Sequence, residues 1–160
     1  MGDAVIRKIE RSDRDWVLQQ HIDLYAKSNG FDISFGKLVE EVLDDFFATH
    51  DPTFERGWIA EENGQRLGSV FCRRLSREQA QLRLFFLVPE ARGKGLGQRM
   101  AGTLLEFAKD KGYQEVRLWT HRSHAAACRL YKAMGWKLID SEETTSFGQK
   151  EIVETYSYRL

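Results

Sequence analysis

The sequence predicts an α/β (α+β) chain of about seven strands and about four helices, in the order β-α-α-β-β-β-α-β-α-β-β. Three observations carry this expectation. Helical and strand periodicities alternate along the chain, with turn residues between them. Asn63-Gly64 marks a hairpin, because both central residues of its turn need positive φ. An apolar run from Leu82 to Val88 stops at Pro89 and passes through a glycine-rich hexapeptide into a helical pattern. That is a strand, a turn and a helix N-terminus in succession.

Each element has its own signal. Ala4 to Ile9 alternates apolar and polar residues and reads as a first strand. Ser12-Asp13 caps a helix running to about Tyr25, with Val17, His21, Leu24 and Tyr25 on one face and Trp16 adjacent; Ser28-Asn29-Gly30 breaks it. A second helix carries Phe35, Leu38, Val39, Val42, Leu43, Phe46 and Phe47 at amphipathic helical spacing. It ends before His50-Asp51-Pro52, since the residue ahead of proline disfavours helix. Gly57 to Glu62 and Leu67 to Leu75 are the hairpin strands, and Ser76-Arg77-Glu78 turns the chain into a strand over Gln79 to Val88. Leu96 to Lys111 is a helix with Met100, Leu104 and Ala108 on one face, closed by Gly112. Glu115 to Thr120 is a strand. Ser123 or His124 caps a shorter helix that ends near Met134, with Gly135 as its stop. Trp136 to Asp140 is a strand, Ser141 to Lys150 a polar loop, and Ile152 to Tyr158 the last strand.

Bulk properties narrow the function classes. The chain has 160 residues, enough for one core, and no repeat or linker interrupts it, so residues 1–160 read as one domain. Formal net charge is +0, which gives no global basic field for nucleic acid. No apolar run approaches the ~20 residues of a membrane span. The N-terminus has no signal-peptide pattern, and Gly2 lacks the Ser/Thr that follows in a myristoylation site. Cys72 and Cys128 match no zinc or redox spacing and read as small buried side chains in a reducing cytoplasm.

The chemistry concentrates at Arg92-Gly93-Lys94-Gly95-Leu96-Gly97. Such a turn aims backbone N–H groups and the positive end of a helix dipole at one spot, and glycines let phosphates approach. No Gly-x-x-x-x-Gly-Lys-Ser/Thr loop is present, and the third glycine of a dinucleotide fingerprint would fall at Gln98. A Walker-type or dinucleotide-binding protein is therefore disfavoured. The spacing that fits is Arg-x-x-Gly-x-Gly, from Arg92 to Gly97. It resembles the coenzyme A pyrophosphate loop of the GNAT superfamily of N-acetyltransferases. The predicted element order is also that of the GNAT fold, along the whole chain. A second signature follows. Ala127, Tyr131, Gly135 and Trp136 match the family pattern, and His124 stands where an Asn is expected. Leu118-Trp119-Thr120-His121 and Thr145-Ser146-Phe147-Gly148 further resemble the acetyltransferase halves of MarR-type regulator fusions; no winged-helix segment precedes them, and no regulator role is carried over.

The resemblance implies a mixed central sheet with a V-shaped splay between the strands ending at Val88 and Thr120. The pantetheine arm of acetyl-CoA would lie in it against edge groups near Leu87 and Val88. The pyrophosphate would rest on N–H groups of Gly93, Lys94, Gly95, Leu96, Gly97 and Gln98, with charge from Arg92. Lys94 is either a phosphate contact or a solvated lysine. His124 and Ala127 belong to the same cofactor surface. The implied reaction is acetyl transfer to an amine of a small molecule or peptide, with no metal. A backbone N–H near Val88 would hold the oxyanion, and Tyr131 stands where the family places its general acid, its other reading being a core aromatic. The carboxylate many relatives carry ahead of the loop is replaced by Phe85. The base is then His121, a water chain, or, more remotely, Glu61 or Glu55; His121 alternatively makes only a structural hydrogen bond. Trp16, Tyr25, Phe31 and Phe35 are candidates for the acceptor pocket. Family members are often dimers, so a homodimer is the candidate assembly. The competing function is a non-catalytic acyl-CoA-binding or sensing module of the same fold, which the missing carboxylate at Phe85 supports.

Overall fold

The computed structural model describes residues 4–160; Gly2 lies outside them. Seven strands form one mixed sheet: β1 (Val5–Lys8), β2 (Arg56–Glu62), β3 (Gln65–Arg74), β4 (Gln79–Leu87), β5 (Glu115–His121), β6 (Lys137–Ser146) and β7 (Gln149–Arg159). Their spatial order is β1-β2-β3-β4-β5-β7-β6. All neighbours are antiparallel except β4 and β5. Four helices pack on the sheet: α1 (Arg14–Asn29), α2 (Ile33–Thr49), α3 (Leu96–Asp110) and α4 (Ala125–Ala133). No helix among the described residues is long and apolar enough to cross a membrane.

Two apolar clusters divide the core. The larger joins β2 to β5 with α3 and α4, through Val70, Met100, Leu104, Val116, Leu118 and Tyr156, among others. The smaller packs Val17 of α1 and Val39, Leu43 and Phe46 of α2 onto Ile59 and Phe71. Cys72 and Cys128 are both buried and unbridged. The predicted apolar face of α2 forms, but Leu38 stays 41% exposed because it faces a cavity rather than the core.

Three local readings change. The predicted loop from Ser141 to Lys150 is mostly strand: β6 runs to Ser146 and turns at Phe147-Gly148 into β7. Its residues carry no apolar alternation because β6 is an edge strand exposed along nearly its whole length. Helix α1 continues past Tyr25 to Asn29, where Gly30 closes it at φ 65°. Asp13 precedes α1 but makes no side-chain cap bond to it. Its buried carboxylate instead accepts from Glu10 N–H (2.7 Å), Arg7 and Arg66. Burial alone would raise this carboxyl's pKa, but the bonds from Arg7, Glu10 and Arg66 outweigh burial and hold it down at about 2.

The bulge between β3 and β4 positions the site. Opposite β3, the β4 register slips between Ser69 and Phe71, and Leu84 takes a left-handed φ of 48°. Ser69 Oγ–H donates to the Leu84 carbonyl at 2.8 Å and holds the distortion. Gly68 lies beside it, where an added Cβ would come within 2.5 Å of the Phe86 carbonyl oxygen. Gly68→Ala is therefore expected to cost about 2 kcal/mol or more by forcing the backbone apart. Urea unfolding of the variant checks this, and a loss below ~0.5 kcal/mol would mean that the two strands relax freely.

Candidate functional site

The parallel strands β4 and β5 pair at only three positions, Gln79 with Glu115, Ala80 with Val116 and Gln81 with Arg117. Beyond Gln81 they part. Strand β5 keeps pairing with β7 as far as His121 and Val153, while β4 stays on β3. The backbone of β4 thus faces an open cleft on its β5 side. Val88 N–H is not part of that edge: it donates to the Leu67 carbonyl at 2.8 Å. This bond makes Gly68 and Leu87 a non-hydrogen-bonded pair, so the N–H and C=O of Leu87 point the other way, into the cleft. Of the edge groups expected near Leu87 and Val88, those of Leu87 are the ones left facing the cleft. The Leu87 carbonyl accepts from Arg92 Nε at 3.1 Å, which folds that side chain back against the cleft.

After Leu87, a short turn over Pro89–Ala91 leads to the glycine segment. Gly93 and Gly95 adopt φ of 77° and 81°, and an added Cβ at either would meet nothing within 4 Å. Backbone conformation, not space, demands glycine here. Gly95 caps α3, and the first helical bond is Arg99 N–H to the Gly95 carbonyl. The N–H groups of Leu96, Gly97 and Gln98 therefore have no partner within the helix. No acidic side chain stands in that first turn. The Leu96 side chain is buried in the core, and Lys94 is exposed. At Gly97 a Cβ would lie 3.3 Å from Leu130, so glycine also lets α3 approach α4 closely. Ala127 is half-buried on α4 beside that contact and packs against the larger core.

Across the cleft, Tyr131 is 4% exposed on the inner face of α4, among the rings of Phe85, Trp136 and Tyr156. Burial, and then the neighbouring Tyr25, Cys128 and Tyr156, push its phenol well above the usual tyrosine range, so it holds its proton at neutral pH. His124 precedes α4 without capping it through its side chain. Its ring stacks on Tyr25 (4.6 Å, 17°), and Nε2 lies 3.0 Å from Asn29 Oδ1. The amide nitrogen of Asn29 donates to Ser123 Oγ (2.8 Å) and Glu151 Oε1 (3.1 Å). With Asn29 so oriented, Nε2 carries the His124 proton and Nδ1 is left as an acceptor. Burial, then the nearby His121, lower the His124 pKa to about 4 against the opposing pull of Glu151. His121, at the end of β5, is half-buried, 5.1 Å from Phe31 and 5.3 Å from His124 between ring centres; burial lowers its pKa and Glu151 partly restores it.

A cavity of about 160 Å³ opens where the strands part, on the α1–α2 side. Tyr131, His121, His124 and Tyr25 line one end, and His21, Leu38, Val39, Val42, Leu82 and Arg83 are among its other walls. Phe35 and Phe85 line it too, whereas Trp16 packs edge-on to Phe86 and Phe31 is buried against Phe35 and Phe147. The two remote carboxylates are engaged elsewhere. Glu55 accepts from the backbone of Asp51 and Arg74, and Glu61 pairs with Arg7 at 3.1 Å; neither reaches the cavity. Sequence reasoning missed His21, Asn29, Arg83 and Glu151. His21 shares its helix face with Val17 and reads as core. Arg83 is one cation inside an apolar run, the signal that could have singled it out.

The family model of the acetyltransferase (GNAT) family matches residues 18–136. The chain belongs to that family. N-acetyltransferase 8 of Mus musculus is 36% identical over 85 residues, covering 50% of this chain and 37% of the relative. N-acetyltransferase family 8 member 3 of Mus musculus is 33% identical over 102 residues, covering 61% and 44% respectively. The chain thus spans less than half the length of these relatives. Among solved structures, an N-acetyltransferase from Staphylococcus aureus Mu50 superimposes with a TM-score of 0.82 at 21% identity, covering 99% of each chain. The structure of yncA from Salmonella typhimurium with its cofactor acetyl-CoA does so with a TM-score of 0.77 at 18% identity, covering 99% of this chain and 95% of that one. At these identities the structures show a shared fold.

The histidines give a pH test. An unfolded histidine takes its proton near pH ~6.5, whereas buried His124 takes it at about 4. Its contribution to stability is present above the unfolded value and lost as pH falls towards the folded one. NMR titration is expected to find His124 neutral at pH 6, with its midpoint near 4. A midpoint near the ordinary value would show that the ring is solvated rather than buried.

Proposed function

We propose that this chain is an acetyl-CoA-dependent N-acetyltransferase that moves the acetyl group to an amine by direct attack in a ternary complex. One observation carries this reading. Strands β4 and β5 part beside a helix N-terminus whose first three N–H groups have no helical partner and no acidic neighbour. Such a terminus suits a pyrophosphate, and the open edge of Leu87 suits an extended amide-bearing arm. The residues present therefore fit the co-substrate, with Gly93 to Gln98 for the phosphates, Arg92 and Lys94 for their charge, Leu87 for the arm, and His124 and Ala127 on the opposite wall. When bound, acetyl-CoA supplies an activated thioester.

The chain's own groups then divide the work. Leu87 N–H would donate to the thioester oxygen as negative charge develops there. As the new N–C bond forms and the C–S bond breaks, Tyr131 would give its proton to the departing sulfur; the phenol's elevated pKa keeps that proton available. The amine's proton must leave in the other direction. No carboxylate lines the cavity among the described residues, and Phe85 occupies the alternative position. His121, neutral and at the cavity wall, is the side chain best placed to take that proton, directly or through water. The acceptor would be a small-molecule or peptide amine.

Isothermal titration with acetyl-CoA, followed by thiol release against a mixed amine library, tests this. Binding with thiol release is expected. Binding without release from any amine would support the sensing-module reading, and no binding would overturn the glycine-segment assignment. Tyr131→Phe is expected to lower kcat about 100-fold with acetyl-CoA affinity kept. Gly95→Asp places a carboxylate and a strained φ where the phosphates would sit, and is expected to abolish acetyl-CoA binding in a protein with native circular dichroism.

A further inference from the structure

We infer that the cavity beside Leu84 receives an apolar amino acid or a compound of that type, with Arg83 binding its carboxylate and His21 accepting a hydrogen bond from its nitrogen. The inference rests on the transferase reading for the reaction, but the binding site stands on its own observations. Arg83 is half-buried and lines the cavity, yet no hydrogen bond or ion pair from another described residue reaches its guanidinium. The opposite charge that acts on it, Asp45, already pairs with Arg73 at 3.1 Å, and Glu55 pairs with the same arginine at 3.3 Å. Arg83 is thus an unpaired, half-buried cation beside a second cation, Arg73. An anion of the right shape would relieve both costs, and a guanidinium favours a planar carboxylate, which it can hold by two parallel bonds.

His21 supplies the second observation. Its Nδ1–H donates to the Val17 carbonyl at 2.8 Å, which leaves Nε2 as an acceptor. The residue is 2% exposed, lines the same cavity, and Nε2 has no partner. A buried acceptor of this kind is usually satisfied, and an N–H of a bound amine or of its amide product would satisfy it.

The arrangement is polar at two places and apolar between. Leu38, Val39, Val42 and Leu82 line the intervening wall, and Leu38 remains 41% exposed for lack of a neighbour. Tyr131 and His124 stand at the end where the nitrogen would meet the acetyl group; Arg83, opposite Phe71 and below the second half of α2, stands at the other. At about 160 Å³ the cavity is smaller than the roughly 300–1,000 Å³ of drug-sized sites and suits a molecule of amino-acid size. A second cation near Arg83 would be repelled, so polyamines are poor occupants.

The test uses the full chain loaded with CoA and two probes, N-acetyl-L-leucine and N-acetyl-L-leucinamide, which differ only in the carboxylate. Isothermal titration is expected to show the acid binding at least tenfold more tightly than the amide. In Arg83→Gln the two are expected to bind alike, and Arg83→Lys to recover part of the difference. Equal binding of acid and amide to the unaltered chain would overturn the proposal, and that comparison stands even if a variant fails to fold. Turnover of free L-leucine separates the two readings. Acid-selective binding with no acetylation keeps the carboxylate site and removes the transferase reading. Acetylation of amines without preference for the acid keeps the transferase and removes the site.

Discussion

Parallel pairing between β4 and β5 lasts three residues and stops at Gln81 and Arg117, and the features of the site follow from that stop. Parallel strands in a continuous sheet satisfy each other's backbone along their length. Here β4 is turned away by a bulge in which a non-glycine residue, Leu84, accepts a left-handed conformation. Such a conformation costs of order 1 kcal/mol and persists only where the surroundings fix it. Ser69 does so from β3, and the β3 ladder continues on both sides of the slip. Strand β5 loses nothing on its other edge, because β7 follows it for seven residues, from Glu115 with Arg159 to His121 with Val153. The sheet therefore opens without coming apart, and Leu87 is left with its backbone groups facing the gap.

The groups collected around that gap share an electrostatic character. The N-terminus of α3 is positive and unopposed, Arg92 folds over Leu87, and no carboxylate lines the cavity among the described residues. Burial keeps Tyr131 protonated, and keeps His21 and His124 neutral down to a pH of about 4. A site of neutral donors and acceptors with positive ends is suited to anionic ligands and to an uncharged attacking nitrogen. It is poorly suited to holding an ammonium ion, since Arg83 already carries the one uncompensated charge at the cavity wall. Neutral side chains also lower the desolvation cost of assembling so many polar groups in one place.

Much of this was legible in the residues. The Arg92–Gly97 spacing, its position after an apolar strand and the Tyr131 signature on α4 are local patterns. Local patterns survive in a sequence because each is enforced by backbone chemistry within a few residues, such as positive φ at Gly93 and Gly95. What the sequence hid is non-local. Strand β6 lacks alternation because neither of its faces is buried, and its pairing depends on β7 across a turn. The assignment of the open edge to Leu87 rather than Val88 depends on which carbonyl of β3 lies opposite, and a slip of one residue reverses it. Asn29 meets His124 from 95 positions away, and no spacing rule joins them. Arg83 looks like a polar interruption of a strand until the neighbours that could neutralise it are seen to be occupied.

The contact between Asn29 and His124 links the two halves of the site. Helix α1 belongs to the layer that walls the cavity, and α4 to the layer that carries Tyr131. Asn29 is the last residue of α1, and its amide is shared among His124, Ser123 and Glu151, which lie at the start of α4, in the turn before it and on β7. Tyr25, one turn earlier on α1, stacks on the same imidazole. The His124 ring thus fixes the distance between α1 and α4 through one polar and one stacked contact. An asparagine at that position, as the family pattern expects, could keep a hydrogen bond but would lose the stacked face. The substitution of His124 for that residue is therefore best understood together with Tyr25: the larger planar ring fills the space an aromatic side chain on α1 creates, and joins the cavity wall to the helix that bears Tyr131.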